Sequence, residues 1–186
     1  MAKIFFGMEI VMNLKAMRSF LSESNIKEHL SYLRTLRLRL SIIEKSIPEL
    51  KGASGEKIIR MNLKRGAKEE ALSLHRRIRL HEIYFSSFTE VPKPSPILRK
   101  HYSSESGFVY EIKKCALGMD CGYIYVYKDQ KGIPRFRSLL IPDDGIFRDK
   151  PVLLLDLFEH AYLFDYGFAF DRYLDGALSH IDLSVL

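Results

Sequence analysis

Three histidines and one aspartate are the residues of this 186-residue chain whose types and spacing point most directly to chemistry. His29 stands in line with Leu33, Leu36, Leu40 and Ile43, at alternating steps of four and three that trace one face of a helix. His81 occupies the same kind of position among Ala71, Leu74, Ile78, Phe85 and Phe88. A buried imidazole needs partners for its ring nitrogens, because a buried unsatisfied polar group is costly. Taken alone, each histidine also fits a core residue bonded to a backbone carbonyl. Two of them on consecutive long helices can point into one seam, and helical pairs build metal sites in that way. The third element is Asp156-Leu-Phe-Glu-His160, which places an aspartate at the end of an apolar run and a histidine four residues on. Alone, it also reads as an aspartate capping the next helix. Together these elements supply three imidazoles and one carboxylate. That set suits iron, manganese or zinc better than calcium or magnesium, which prefer oxygen ligands. With a trivalent ion it keeps a net positive charge and can admit hydroxide or a small anion.

The elements that must position these residues follow from periodicity and punctuation. Asn25 and Glu28 have capping-box spacing, so the first long helix is expected from near Asn25 until Pro48 and the Gly52–Gly55 segment stop it. Shorter helical character from Glu56 to Arg65 precedes a third helix from about Ala67 to Phe88. The three prolines of Glu90–Pro96 end regular structure and mark a linker between residues 1–90 and 97–186. Ile97–Ala116 reads as helical with a break at Ser103–Gly107. Gly122–Tyr127 and Phe136–Ile141 read as strands, Pro142–Lys150 as a polar loop, and Pro151–Leu155 as a buried strand. The rest is mostly helical. The fold class expected is α+β: an all-α N-terminal half forming a helical hairpin, packed on a C-terminal α/β half.

Composition narrows the function classes. With 47% hydrophobic and 28% charged residues the chain has the balance of a soluble globular protein. Residues 1–90 carry 17 Lys/Arg against 10 Asp/Glu, and residues 91–186 carry 12 against 13, so the net +6 resides in the first half. Such a half attracts a small anion, a nucleic acid or an anionic surface alike. Arg34, Arg37, Arg39, Arg76, Arg77 and Arg79 offer phosphate contacts, but no recognised nucleic-acid motif accompanies them, and no nucleic-acid partner is expected. No apolar run reaches membrane-spanning length, and Ile4–Val11, broken by Gly7 and Glu9, lacks a following cleavage site. Two cysteines do not make a disulfide framework. A cytoplasmic protein without a membrane partner is expected.

The segment Asp156-Leu-Phe-Glu-His-Ala-Tyr162 is similar to the D-x-W-E-H-A-Y signature of the iron/manganese superoxide dismutases, with Phe158 for the tryptophan. His81-Glu-Ile-Tyr-Phe85 resembles that family's H-S-L-F-W, and Gly122-Tyr-Ile-Tyr125 its G-W-x-W. His101–Gly107 resembles its D-F-G-S segment, and Leu178-Ser-His-Ile-Asp182 its closing L-x-x-V-N-W. The resemblance runs from about residue 20 to the end, in order. It implies a three-stranded antiparallel sheet in the C-terminal half. It also implies one iron or manganese ion per subunit, iron being the preferred reading, held by His29, His81, Asp156 and His160. The implied activity is conversion of superoxide to O2 and hydrogen peroxide in a homodimer, with Glu159 reaching across the interface.

Departures from the family pattern surround those four residues. The mouth tyrosine eight residues after the first ligand is here Arg37, which is the candidate to assist metal-bound solvent, and Arg34 or Arg37 is the candidate to draw in the anion. A histidine one turn after the first ligand is Leu33, and the second tyrosine of H-A-Y-Y is Leu163. The glutamine that bonds solvent is Arg77 at one family position, and Asp143 or Asp144 at the other. Groups around the ligands tune redox potential and the acidity of bound water. The alternative function is therefore a metal-binding or structural protein on the same fold with little dismutase activity.

Overall fold

The computed structural model describes residues 3–5, 8–10, 13–143 and 145–186. Asp144 and part of Ile4–Val11 lie outside them. Two short antiparallel strands, β1 (Lys3–Phe5) and β2 (Met8–Ile10), pair with Lys3 opposite Ile10. The expected all-α half therefore gains a hairpin. Its strands are three residues each, too short to show a period. The brief α1 (Leu14–Met17) leads into the first long helix, α2 (Glu23–Ser46). The cap is Ser22, whose hydroxyl accepts from the Asn25 N–H at 3.1 Å. Asn25 lies inside the helix and is buried, so the expected start was three residues late. Pro48 then starts a 3-10 turn.

After α3 (Gly55–Arg60), the second long helix α4 (Arg65–Ser86) packs along α2. The predicted stripes meet in that seam: Leu33, Leu36 and Leu40 on one side, Leu74, Ile78 and Phe85 on the other, all buried. α5 (Pro96–Tyr102) and α6 (Glu105–Leu117) follow the proline-rich segment, separated by the expected break.

The sheet has the order β4-β3-β5, all antiparallel, from β3 (Tyr123–Lys128), β4 (Pro134–Leu139) and β5 (Leu153–Asp156). The aromatic, β-branched β3 is central, as its doubly buried pattern requires. Gly122 enters it at φ +127°, and a Cβ there would lie 2.3 Å from the Leu139 carbonyl oxygen, so only glycine fits. Pro142–Lys150 is not a plain loop but contains α7 (Gly145–Asp149). Arg137 binds it down by pairing with Asp143 at 2.7 Å, whose Oδ1 accepts from the Gly145 N–H. Gly145 and Ile146 are buried while the polar side chains around them stay partly exposed, and five residues are too few to show a helical period. The chain ends with α8 (Glu159–Tyr166) and α9 (Phe170–Ser179).

One main core draws on both sides of the proline-rich segment, from Leu33 and Phe85 to Leu154 and Tyr173. Ser87 ties the two sides together: its hydroxyl accepts from the Leu154 N–H at 2.8 Å and its carbonyl from Asp182 N–H. α4 thus lies against β5, and α8 against α2. Both cysteines are free thiols, and among the described residues no helix is long and apolar enough to cross a membrane.

Candidate metal centre

His29 sits on the buried face of α2, seven residues into the helix and one turn before Leu33. Its ring lies 4.9 Å from Tyr84 and 5.0 Å from Phe85, centroid to centroid. The residue is 1% exposed, and neither ring nitrogen makes a hydrogen bond; Nε2 stands 3.5 Å from Asp156 Oδ2, poorly aligned. Burial pushes its pKa down, against the pull of the Asp156 carboxylate. Burial thus disfavours the charged imidazolium, and Nε2 is the nitrogen that stands beside the Asp156 carboxylate.

His81 comes from the facing side of α4 and is fully buried. Its Nδ1 donates to the Arg77 carbonyl at 2.6 Å, which fixes the tautomer and leaves the Nε2 lone pair free for the cluster. Burial lowers its pKa to about 3. Nε2 lies 3.3 Å from His160 Nε2 and 3.6 Å from Asp156 Oδ2.

Asp156 closes β5, opposite Tyr123 in the central strand. Its Oδ1 accepts the Phe158 N–H at 3.0 Å, and its Oδ2 lies within 3.6 Å of the Nε2 atoms of all three histidines. Burial alone raises this carboxyl, but His160, His29 and His81 together outweigh it and hold the carboxyl well below the usual range. The Tyr173 hydroxyl donates to the Asp156 carbonyl at 2.8 Å, so the strand end is anchored from α9. One residue into α8, His160 turns back until its Nε2 is 3.1 Å from Asp156 Oδ2. Its ring stacks on Phe158 at 5.9 Å. Its side chain is 32% exposed while the other three are at 0%, so the cluster opens to solvent on the His160 side.

The four donor atoms all lie within 4.8 Å of one another. Bonds of about 2.0–2.2 Å from one ion put neighbouring donors about 3–4.4 Å apart. The observed separations of 3.1, 3.3, 3.5 and 3.6 Å fall in that range. Of the two orphaned nitrogens on the buried His29 ring, the one facing the cluster carries a desolvation cost that an ion would remove. The residues present fit a transition metal.

The neighbours are arranged as follows. Arg37 pairs with Glu82 at 2.9 Å in the α2–α4 seam. Leu33 is buried, whereas Leu163 is 42% exposed beside Phe164 and Phe168. Glu159 is exposed at the start of α8. Asp143 is held by Arg137. Two side chains, Tyr32 and Tyr173, have no role in the sequence reading. Tyr32 lays its ring against His81 and His160, at 5.2 and 4.9 Å, and Arg77 stands over Tyr32 at 5.4 Å from the ring centroid. The signal was available for Tyr32, which lies three residues after His29 and so on its face. None marked Tyr173, because its link to Asp156 is purely tertiary.

Residues 95–186 match the iron/manganese superoxide dismutases' C-terminal domain. The chain belongs to the iron/manganese superoxide dismutase family, and both the α+β fold and the buried His/Asp cluster agree with that membership. Comparison with curated proteins gave no match.

Proposed function

We propose that this protein is a superoxide dismutase that uses one iron or manganese ion held by His29, His81, Asp156 and His160. The observation that carries the reading is the convergence of three imidazoles and a carboxylate within 4.8 Å in a chain of this family. When bound, the ion supplies one-electron exchange, by which two superoxide ions and two protons become O2 and hydrogen peroxide. The residues do the rest. Three neutral imidazoles and one carboxylate leave a bound trivalent ion with net positive charge, which attracts an anion. The Arg77 carbonyl holds His81 in the ligating tautomer. Buried aromatic rings keep bulk water from His29. The exposed edge of His160 supplies the way in.

The reading includes a homodimer. Exposed Leu163, Phe164 and Phe168 next to Glu159 support an apolar contact with a second copy there. It also includes a cytoplasmic setting, supported by two free thiols, and iron over manganese. Element analysis of protein purified without added metal, with a superoxide-consumption assay on the same sample, tests the proposal. Stoichiometric iron or manganese with turnover is expected.

One observation favours a second reading, a metal-binding relative with little activity. The side chain at the mouth position, Arg37, is engaged by buried Glu82. Full metal content without superoxide consumption would select that reading.

A further inference from the structure

We propose that Arg77 is the group that holds a small anion at the mouth of this centre, with Tyr32 as the positioning residue that seats it. The proposal rests on the metal-site reading above and deepens it.

Arg77 and His81 are four residues apart on α4, hence on the same face. The Tyr32 ring is enclosed between them. One side meets the His81 and His160 rings, and the guanidinium lies 5.4 Å from its centroid. A cation over an aromatic face is attracted by the ring quadrupole, so the contact fixes where the charge sits. Some other arginines are neutralised by carboxylates: Arg37 by Glu82, Arg39 by Glu70, Arg137 by Asp143. Among the described residues no carboxylate pairs with Arg77. This partly buried cation is therefore held beside the donor cluster, at its open side, without a counter-charge.

A centre with these donors and a bound trivalent ion is already positive, and Arg77 adds a further charge on the entry side. The ligand class that answers both is a small monoanion able to pass Tyr32. Arg77 contributes charge at the outer end of that path. It does not touch the ion's donors except through its own carbonyl on His81, which a side-chain substitution leaves in place.

The test is azide titration of the ferric-iron-loaded protein, followed by visible absorption at several ionic strengths. Loss of one unit charge at this range weakens anion binding by about tenfold. Arg77→Gln is expected to raise the azide dissociation constant by that factor and to flatten its salt dependence. Arg77→Lys is expected to restore most of both. Tyr32→Phe, which keeps the ring, is expected to bind azide as the wild type does, and Tyr32→Leu to behave like Arg77→Gln. Iron content is measured for every sample. Iron-loaded Arg77→Gln with wild-type azide affinity and salt dependence would overturn the assignment while leaving the metal site standing. A wild type that takes up no iron overturns both.

Discussion

Asp156 and His160 come from one unbroken segment at the end of β5, whereas His29 and His81 come from two separate helices that meet only through packing. In the first case backbone geometry does the positioning. The β3–β5 register fixes Asp156 opposite Tyr123, the Phe158 N–H holds its carboxylate, and four residues later the first turn of α8 returns His160 to it. In the second case each donor occupies one place in an apolar stripe, and its neighbours need only fill the seam. The family match follows the same division, covering residues 95–186. The helical half supplies the two helix-borne candidates, His29 and His81, with Leu33, Arg37 and Arg77 on the same two helices. Leu33 lies one turn after His29 and Arg77 one turn before His81, each on that histidine's own helix face, so packing holds the two histidines in place with side chains of different chemistry beside them.

The largest effect expected tests whether the two halves contribute equally to holding metal. Asp156→Ala and His29→Leu should each lower metal retention by at least about 100-fold, since even groups that only orient ligands are worth 10–100-fold. Element analysis after dialysis against a chelator measures this. The two variants should part company in the metal-free protein. Asp156→Ala removes the acceptor of the Phe158 N–H and the partner of three histidines, and destabilises. His29→Leu removes two buried unsatisfied nitrogens and should stabilise by about 1–3 kcal/mol in urea unfolding. Equal destabilisation by both would erase the proposed contrast between a backbone-built and a packing-built half.

Next come two contacts that support the halves separately. Arg37→Met leaves Glu82 buried without its partner, and should cost about 3 kcal/mol while metal content is unchanged. The double variant with Glu82→Gln should recover most of it. If Arg37→Met instead leaves the urea midpoint untouched, the ion pair is not what secures the helical seam near the mouth. On the other side, Tyr173→Phe deletes the bond to the Asp156 carbonyl and the 3.3 Å contact with the Tyr84 hydroxyl. About 1–2 kcal/mol should be lost. Unfolding curves read both effects, and retention of metal by Tyr173→Phe separates support of the strand end from ligation.

How much was legible in the sequence divides along the same line. The stripes around His29 and His81 were visible because a long amphipathic helix repeats its signal many times, and the aromatic, β-branched run of β3 was visible for the same reason. The end of β5 was legible through a contiguous motif. Ser22 was passed over in favour of Asn25 because both are capping residues followed three positions later by a polar side chain, and only the tertiary burial of Asn25 decides between them. α7 was missed because its five residues carry no period, and β1 and β2 are shorter still. The spacing from His29 places Tyr32 on the right face, but its contacts with the His81 and His160 rings depend on how α2, α4 and α8 come together.

The smallest effect concerns a histidine of the helical half that does not belong to the cluster. His75 lies on the buried side of α4, and burial lowers its pKa from 6.5 to about 4. The folded state thus binds its proton less readily than the unfolded chain. Stability from keeping this ring neutral is complete above pH 6.5 and is lost as pH falls from there through about 4. Near pH 6 the loss is about 0.8 kcal/mol, because the unfolded histidine is then mostly protonated and the folded one is not. His75→Leu cannot take up that proton, so its stability should fall less steeply between about pH 6.5 and 5 than the wild type's. The comparison is of slopes in metal-free protein, which removes the constant change in packing. Parallel slopes would mean that His75 takes up its proton as readily in the fold as in the unfolded chain, and that the helical half does not exclude a charge at this position.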